Sequence, residues 1–226
     1  MIDRRTLREQ VLDTLHQRIA EGALPAGTRL TEVALSEDFG VSRGTVREAL
    51  RHLQEEGLAV QHSRGSVYVR RLAARDVSEL YEIRAVLEGL AMDRILASAD
   101  REATAVLLQQ KLDELGEQSL TFFERIGADL AFHQSLCQLS DNLMLLRTWV
   151  QLSHLIRGML ASMGEPVIGP LMVVADHQLI VDAIKTPSAN SHLVLPGLLA
   201  HSADQLSAAI DNHAQTHSYP RESFQS

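Results

Sequence analysis

The stretch from Thr31 to Val69 constrains this chain most, because several local signals follow one another there without a gap. Phe39-Gly40-Val41-Ser42 marks a tight turn. Gly40 can take the left-handed conformation that ends one helix, Val41 can turn inward, and Ser42 can accept from the free amides that start the next. From Arg43 to Glu56 the apolar or small residues Val46, Ala49, Leu50 and Leu53 recur at helical spacing, leaving Arg43, Arg47 and Arg51 on other faces. Gly57 stops that helix, and Leu58–His62 and Ser66–Arg70 then read as two strands around Ser63-Arg64-Gly65. Helix, turn, helix and hairpin in this order predict a winged helix-turn-helix, an element that reads DNA.

The start of the second helix in such a motif enters the major groove. Arg43 and Arg47, one turn apart, can reach guanine edges or flanking phosphates, while Ser42 and Thr45 offer hydroxyls to the backbone or a base. Arg64 sits at the tip of the wing, and Gly65 permits close approach to a sugar-phosphate chain. The bland alternative is a small helical domain with a solvated basic face. An arginine-rich helix alone would favour it, whereas the complete order argues for DNA.

Length and charge divide the chain in two. Its 226 residues exceed a lone winged helix about threefold. Residues 1–72 hold 11 Lys/Arg against 10 Asp/Glu, while residues 73–226 hold 10 against 19, so the acidic charge belongs to the second part. The overall charge of −8 does not exclude nucleic acid, since the local surface at the recognition helix is what meets phosphate. Arg70-Arg71-Leu72-Ala73-Ala74-Arg75 reads as a linker, with Asp76 set to cap the following helix. No apolar run approaches the roughly 18 to 20 residues that cross a bilayer, and the N-terminus lacks a signal-peptide core, so a cytoplasmic protein with no membrane partner is expected. Cys137, the sole cysteine, cannot form an internal disulfide and reads as a small core residue.

Beyond Asp76 only helical patterns occur, over about 76–98, 101–118, 121–139, 142–163, 170–185 and 196–212. The expected fold is therefore mostly α: a winged helix-turn-helix over 1–72, then an all-α antiparallel bundle of about six helices over 76–213. Asp129 and His133 stand at i and i+4 and share one helix face. His177 lies in the buried row Val174, His177, Val181, Ile184, and His201 lies on the last helix. Three imidazoles and one carboxylate meeting inside a bundle would suit Zn²⁺, Ni²⁺, Mn²⁺ or Fe²⁺, with Zn²⁺ preferred, and would leave open positions for water or a small anion. From spacing alone, satisfied core histidines remain the simpler explanation.

Leu35-Ser36-Glu37-Asp38-Phe39-Gly40-Val41-Ser42-Arg43-Gly44-Thr45-Val46-Arg47-Glu48-Ala49-Leu50, continuing to Gly57-Leu58, resembles the signature of the GntR family of bacterial transcription regulators, and Leu24–Leu30 resembles the turn after that family's first helix. Two positions depart from it: Val33 stands where many FadR-like members carry a DNA-contacting arginine, and Gly44 where they carry a threonine. Asp129-Leu130-Ala131-Phe132-His133-Gln134-Ser135-Leu136, Asp176-His177-Gln178-Leu179-Ile180 and Ala200-His201 are similar to segments of the FCD effector domain of FadR-like regulators. That resemblance implies a divalent metal on Asp129, His133, His177 and His201, helping to hold a carboxylate ligand. It also implies that Arg84 lies in the effector pocket, where its fork would take a carboxylate in two bonds. An Arg84–Glu88 surface pair is the alternative, and His154 and Arg157 are further candidates for the cavity.

The function expected is a ligand-responsive regulator, more a repressor than an activator, binding a double-stranded inverted-repeat operator as a homodimer under control of a small organic acid. Two other classes are weighed against it. One is a sensor in which the metal itself is the signal. The other is a metal-dependent hydrolase, for which only Glu88 or Asp176 offers a general base.

Overall fold

Capping and burial together explain where α1 and α3 of the N-terminal half begin. The computed structural model describes residues 6–62, 65–71 and 73–216. Thr6 caps α1 (Leu7–Ala20) in a capping box: its hydroxyl accepts from the Glu9 amide at 3.2 Å and the Glu9 carboxylate accepts from the Thr6 amide at 2.8 Å. Val11, Leu15 and Ile19, spaced by four, form the buried stripe of α1. After β1 (Arg29–Leu30) come α2 (Glu32–Phe39) and α3 (Arg43–Glu55). Gly40 ends α2 in the left-handed conformation at φ 63° and ψ 32°, and Ser42 caps α3 by accepting from the Thr45 amide at 3.1 Å. Val46, Ala49, Leu50 and Leu53 are the buried residues of α3, the same set that carries its sequence periodicity.

The wing consists of β2 (Ala59–Gln61) and β3 (Val67–Val69), paired antiparallel with Val60 opposite Tyr68. The sequence pattern misses β1, which pairs with β3 through Arg29↔Tyr68 and Leu30↔Val67 and completes a sheet of order β1-β3-β2. Two residues are too short to show any alternation, so only the fold reveals that strand.

The remaining helices are α4 (Ala74–Leu96), α5 (Arg101–Leu115), α6 (Phe122–Leu139), α7 (Leu143–Met163), α8 (Glu165–Ile168), α9 (Val174–Lys185) and α10 (Ser191–Thr216), with a 3₁₀ turn at Gly169–Leu171. Asp76 stands inside the first turn of α4 and not at its cap, where its carboxylate takes the Ala73 amide at 2.7 Å and linker Arg70 at 2.9 Å. The helix expected over 170–185 starts later, as α9 from Val174 after the 3₁₀ turn, while α8 occupies the stretch expected to be a break, and α10 begins five residues before Pro196, which lies inside it. Trp149, Phe132, Met92, Ile95, Leu108 and Leu136 are among the fully enclosed residues of the bundle core. Cys137 is buried there too, and burial pushes its thiol pKa up, so it is inert packing.

The bundle docks on the winged helix through α7. Leu155 packs against the core built from α1, α3 and the sheet. A Cβ at Gly158 would lie 3.0 Å from Leu58 Cδ2 and 3.4 Å from Ile19 Cγ2, so the two halves meet where α7 carries no side chain. Among the described residues no helix is long and apolar enough to cross a membrane.

Candidate functional site

The first site is the exposed start of α3. Arg43 and Arg47 project there with the Ser42 and Thr45 hydroxyls, which lie 2.9 Å apart. Arg47 is not free: its Nε and terminal nitrogen donate to the two carboxylate oxygens of Glu32 at 2.7 and 2.8 Å, and Arg43 lies 3.8 Å from the same carboxylate. Arg47 holds the Glu32 pKa below the usual carboxylate range, and Glu32 in turn raises that of Arg47. No sequence pattern marks Glu32 as this partner, because it lies 15 residues from Arg47 on another helix. Gly65 adopts φ +78° in the wing, a conformation that favours glycine, and its amide donates to the His62 carbonyl at 2.8 Å. Arg64 lies outside the described residues. Val33 and Gly44, the two departures from the family pattern, are both exposed.

The second site is inside the bundle. Asp129 and His133 come from α6 and His177 from α9, and their ligand atoms lie within 4.8 Å of one another, all three residues buried. The His177 Nδ1 hydrogen donates to the Val173 carbonyl at 3.1 Å, which leaves the Nε2 lone pair for the cluster. That Nε2 is 3.1 Å from Asp129 Oδ1, yet it has no hydrogen bond of acceptable angle and is a buried orphan. Burial works against the charged form of both groups, but their mutual contact prevails: Asp129 is held down at about 2 and His177 is raised. Burial lowers His133 and outweighs its carboxylate neighbours, so its ring is neutral, as a metal ligand must be.

Glu88 organises the floor of this site. Its Oε1 accepts from Arg84 Nε at 2.8 Å and Trp149 Nε1 at 2.9 Å, and its Oε2 lies 2.5 Å from His133 Nδ1. Burial pushes the Glu88 pKa up, but Arg84, His133 and Trp149 override it and hold the carboxylate ionised. A carboxylate on Nδ1 orients the imidazole and leaves Nε2 for ligation. The Arg84–Glu88 pair is therefore buried, at 2% and 0% side-chain exposure, and not the surface pair that spacing alone allowed. Arg84 lies over the Tyr81 ring, 4.7 Å from its centroid, and keeps one terminal nitrogen buried without a partner. Burial pushes the Tyr81 hydroxyl up to about 12, so it stays protonated.

Arg84, Asp129, His133 and His177 line one cavity of about 60 Å³, closed by Leu195, Leu198, Leu199 and Ser202 of α10. His201 does not join them. It is exposed, one residue and about 100° of helix away from Ser202. Burying Leu195, Leu199 and Leu206 sets the rotation of α10, and that register turns His201 to solvent. His154 and Arg157 line a different cavity, at the junction with α1. The donor set of one carboxylate and two imidazoles, with an orphaned lone pair, fits a divalent ion of the Zn²⁺, Mn²⁺, Fe²⁺ or Ni²⁺ class with positions left open.

A winged helix carrying arginines at the head of its recognition helix, joined to a bundle whose buried pocket gathers Arg84, Asp129, His133 and His177, defines a transcription regulator that contains its own ligand domain. Residues 7–69 match the bacterial regulatory proteins of the gntR family and residues 79–190 match the FCD domain. A protein named as a D-xylose utilization operon transcriptional repressor, from Paenarthrobacter nicotinovorans, is 31% identical over 94% of this chain and 92% of its own. The HTH-type regulator YdhC of Bacillus subtilis is 33% identical over 59% of this chain and 60% of that relative. A GntR transcriptional regulator from Rhodococcus superposes with a TM-score of 0.71 at 26% identity, covering 91% of this chain and 97% of that one. The chain belongs to the GntR family of transcription regulators, in the group that carries an FCD domain. These families and relatives are regulators and not enzymes, which sets the hydrolase aside. Glu88, one of its two candidate bases, already has three partners.

Proposed function

We propose that the protein is a repressor that binds an inverted-repeat operator as a homodimer and is controlled by a small carboxylate held in the bundle. It acts in the cytoplasm, where its DNA is. Ser42, Arg43, Thr45 and Arg47, with Arg64 and Gly65 on the wing, contact the operator. Asp129, His133 and His177 hold a divalent metal, with Zn²⁺ the preferred ion. When bound, that ion supplies a second positive anchor for the ligand's carboxylate.

One observation carries this: Arg84 keeps a buried, unpartnered guanidinium nitrogen, and it lines the same small cavity as the orphaned Nε2 of His177. A buried cation with an unused donor is costly unless something pairs with it, and a carboxylate is the matching partner. The cavity of about 60 Å³ favours a compact acid over a long acyl chain. Relatives named for xylose and gluconate operons support a small, polar metabolite as the signal. The ligand acts by binding one arrangement of the bundle more tightly than another, and α7 carries that difference to the winged helix through Leu155 and Gly158.

The test combines metal analysis with a DNA-release screen. The wild-type chain should retain metal at the Asp129, His133, His177 site and release operator DNA with one or a few small carboxylates. Arg84→Ala should bind DNA normally yet lose the response. A variant that still responds to the same acid would remove Arg84 from the pocket's function.

A further inference from the structure

A second group of metal-binding side chains lies where the two halves of the molecule meet. His16 comes from α1, Glu56 is the C-cap of the recognition helix α3, and His154 comes from α7 of the bundle. Their ligand atoms lie within 4.8 Å of one another, and each residue is half-buried. His16 Nε2 is 2.5 Å from Glu56 Oε2, and the His16 and His154 rings stand 4.7 Å apart at 59°. Among the described residues His154 makes no hydrogen bond or ion pair; the His16 ring lies beside it, and the Glu56 carboxylate acts on it across a longer gap. Beside the cluster opens a cavity of about 440 Å³, lined also by Glu21, Glu124 and Arg157.

We propose that His16, Glu56 and His154 form a second divalent-metal site of the Zn²⁺ class, distinct from the effector pocket, which clasps the recognition helix to the bundle. Two imidazoles and one carboxylate are a donor set that zinc accepts, with the remaining position open to water or an anion from the cavity. A plain ion pair explains His16 and Glu56, but it leaves His154 without a hydrogen bond or ion pair among the described residues; a metal gives all three residues a role. Burial opposes ionisation of Glu56, yet His16 prevails and holds the carboxylate below its usual range. Burial and the adjacent His16 lower the His154 pKa, so its ring keeps a lone pair for the metal. The helices are already packed in place by Ile19, Leu58, Leu155 and Gly158, so the site needs little rearrangement to load.

The location gives the site its consequence. Glu56 caps the C-terminal end of the recognition helix, and His154 is on the helix that joins the bundle to the winged helix. Metal bound between them resists any movement of one half against the other, so metal supply would set how readily the effector signal reaches the DNA-binding face.

The test uses Zn²⁺ and the full chain, in a His177→Ala background that silences the effector-pocket site. Expected are about one Zn²⁺ per chain, a higher melting temperature with Zn²⁺, and slower amide exchange in the C-terminal half of α1 and at Leu58. Adding His154→Ala should weaken Zn²⁺ binding at least about 100-fold, since even residues behind a ligand cost 10 to 100-fold. It should also abolish both other effects. His154→Asn and Glu56→Gln, with folding checked by circular dichroism in metal-free buffer, should do the same without removing bulk. Zn²⁺ binding in the His177→Ala background that is absent, or that is unchanged by all three substitutions, overturns the site. Because the pocket ligand is already removed, failure here does not bear on the effector reading.

Discussion

Glu88 concentrates more of the pocket's energetics than any other side chain, since one buried carboxylate holds Arg84, Trp149 and His133 at once. Removing one partner of a buried charge set leaves the others uncompensated, a loss of about 3 to 5 kcal/mol. Glu88→Ala should therefore lower urea stability by about that much, whereas Arg84→Met, which removes the cation but leaves Glu88 two donors, should cost less. The Asp129–His177 pair sets the pH response of metal-free protein. Asp129 falls from 3.8 to about 2 on folding, so its contribution is complete above its unfolded pKa and lost as pH drops toward 2. The His177 pKa is raised, so its contribution is present at lower pH and lost as pH climbs through the folded value. Denaturation of the metal-free chain should accordingly show a plateau flanked by losses on both sides, and Asp129→Asn should flatten both. On the DNA face, Arg47→Ala should reduce the slope of log affinity against log salt by about one. Glu32→Gln, which frees Arg47 and Arg43 together, should strengthen binding to non-specific DNA and cost under about 1 kcal/mol of stability. The convergence of Asp129, His133 and His177 follows the ligand set that the resemblance to the FCD domain implies, whereas their spacing alone favours satisfied core histidines. The Arg84–Glu88 pair is legible as an i, i+4 spacing, but the reach of Glu88 to His133 and Trp149, 45 and 61 positions away, and of Glu32 to Arg47, 15 away, is not, because only the fold brings these residues close.

At the level of elements, helical period and caps made most of the architecture readable. The α2 turn, the α3 core stripe and the starts of α6 at Thr121 and α7 at Asn142 all rest on local chemistry that a sequence displays. What was missed has a common cause. β1 exists only through its pairing with β3, and α10 begins at Ser191, behind a proline whose place inside a helix local rules disfavour. His201 followed from that: its outward direction is decided by which leucines α10 buries, a tertiary choice invisible along the chain. The α7 contact with the winged helix gives a sharper test. At Gly158 even a single Cβ would stand 3.0 Å from Leu58, tighter than ordinary packing. Gly158→Val should therefore push α7 from the winged helix at a cost of about 1 to 3 kcal/mol. Calorimetry should then resolve two melting transitions in place of one, with the helix content of each half preserved. A single unshifted transition would mean the two halves are not energetically joined at that contact.

For the whole molecule, one apolar stripe on α4 is without a partner among the described residues. Ile83, Val86 and Leu90 recur at i, i+3 and i+7, so they share one face, and they are 52%, 70% and 47% exposed in the single chain. Apolar residues grouped this way on a helix that otherwise buries its opposite face mark an interaction surface. The proposed homodimer supplies the occupant, because an inverted repeat presents two half-sites related by a two-fold axis and a two-fold protein matches it with one copy of α3 in each. Charge agrees: α4 belongs to the acidic part of the chain, which keeps a bundle-to-bundle contact off the DNA and leaves the arginines of α3 to face it. Val86→Glu with Leu90→Glu would bury like charges opposite one another across the axis, while in the monomer both side chains would stay in water. Light scattering should then give a dimer of 25.0 kDa chains for the wild type and a monomer for the double variant, with each chain still folded and still able to load metal in the bundle. Operator affinity should fall by at least about 100-fold, since each half-site would have to be bound without the second copy tethered beside it. A double variant that remains a dimer would move the two-fold contact to another face of the bundle and leave the α4 stripe without its explanation.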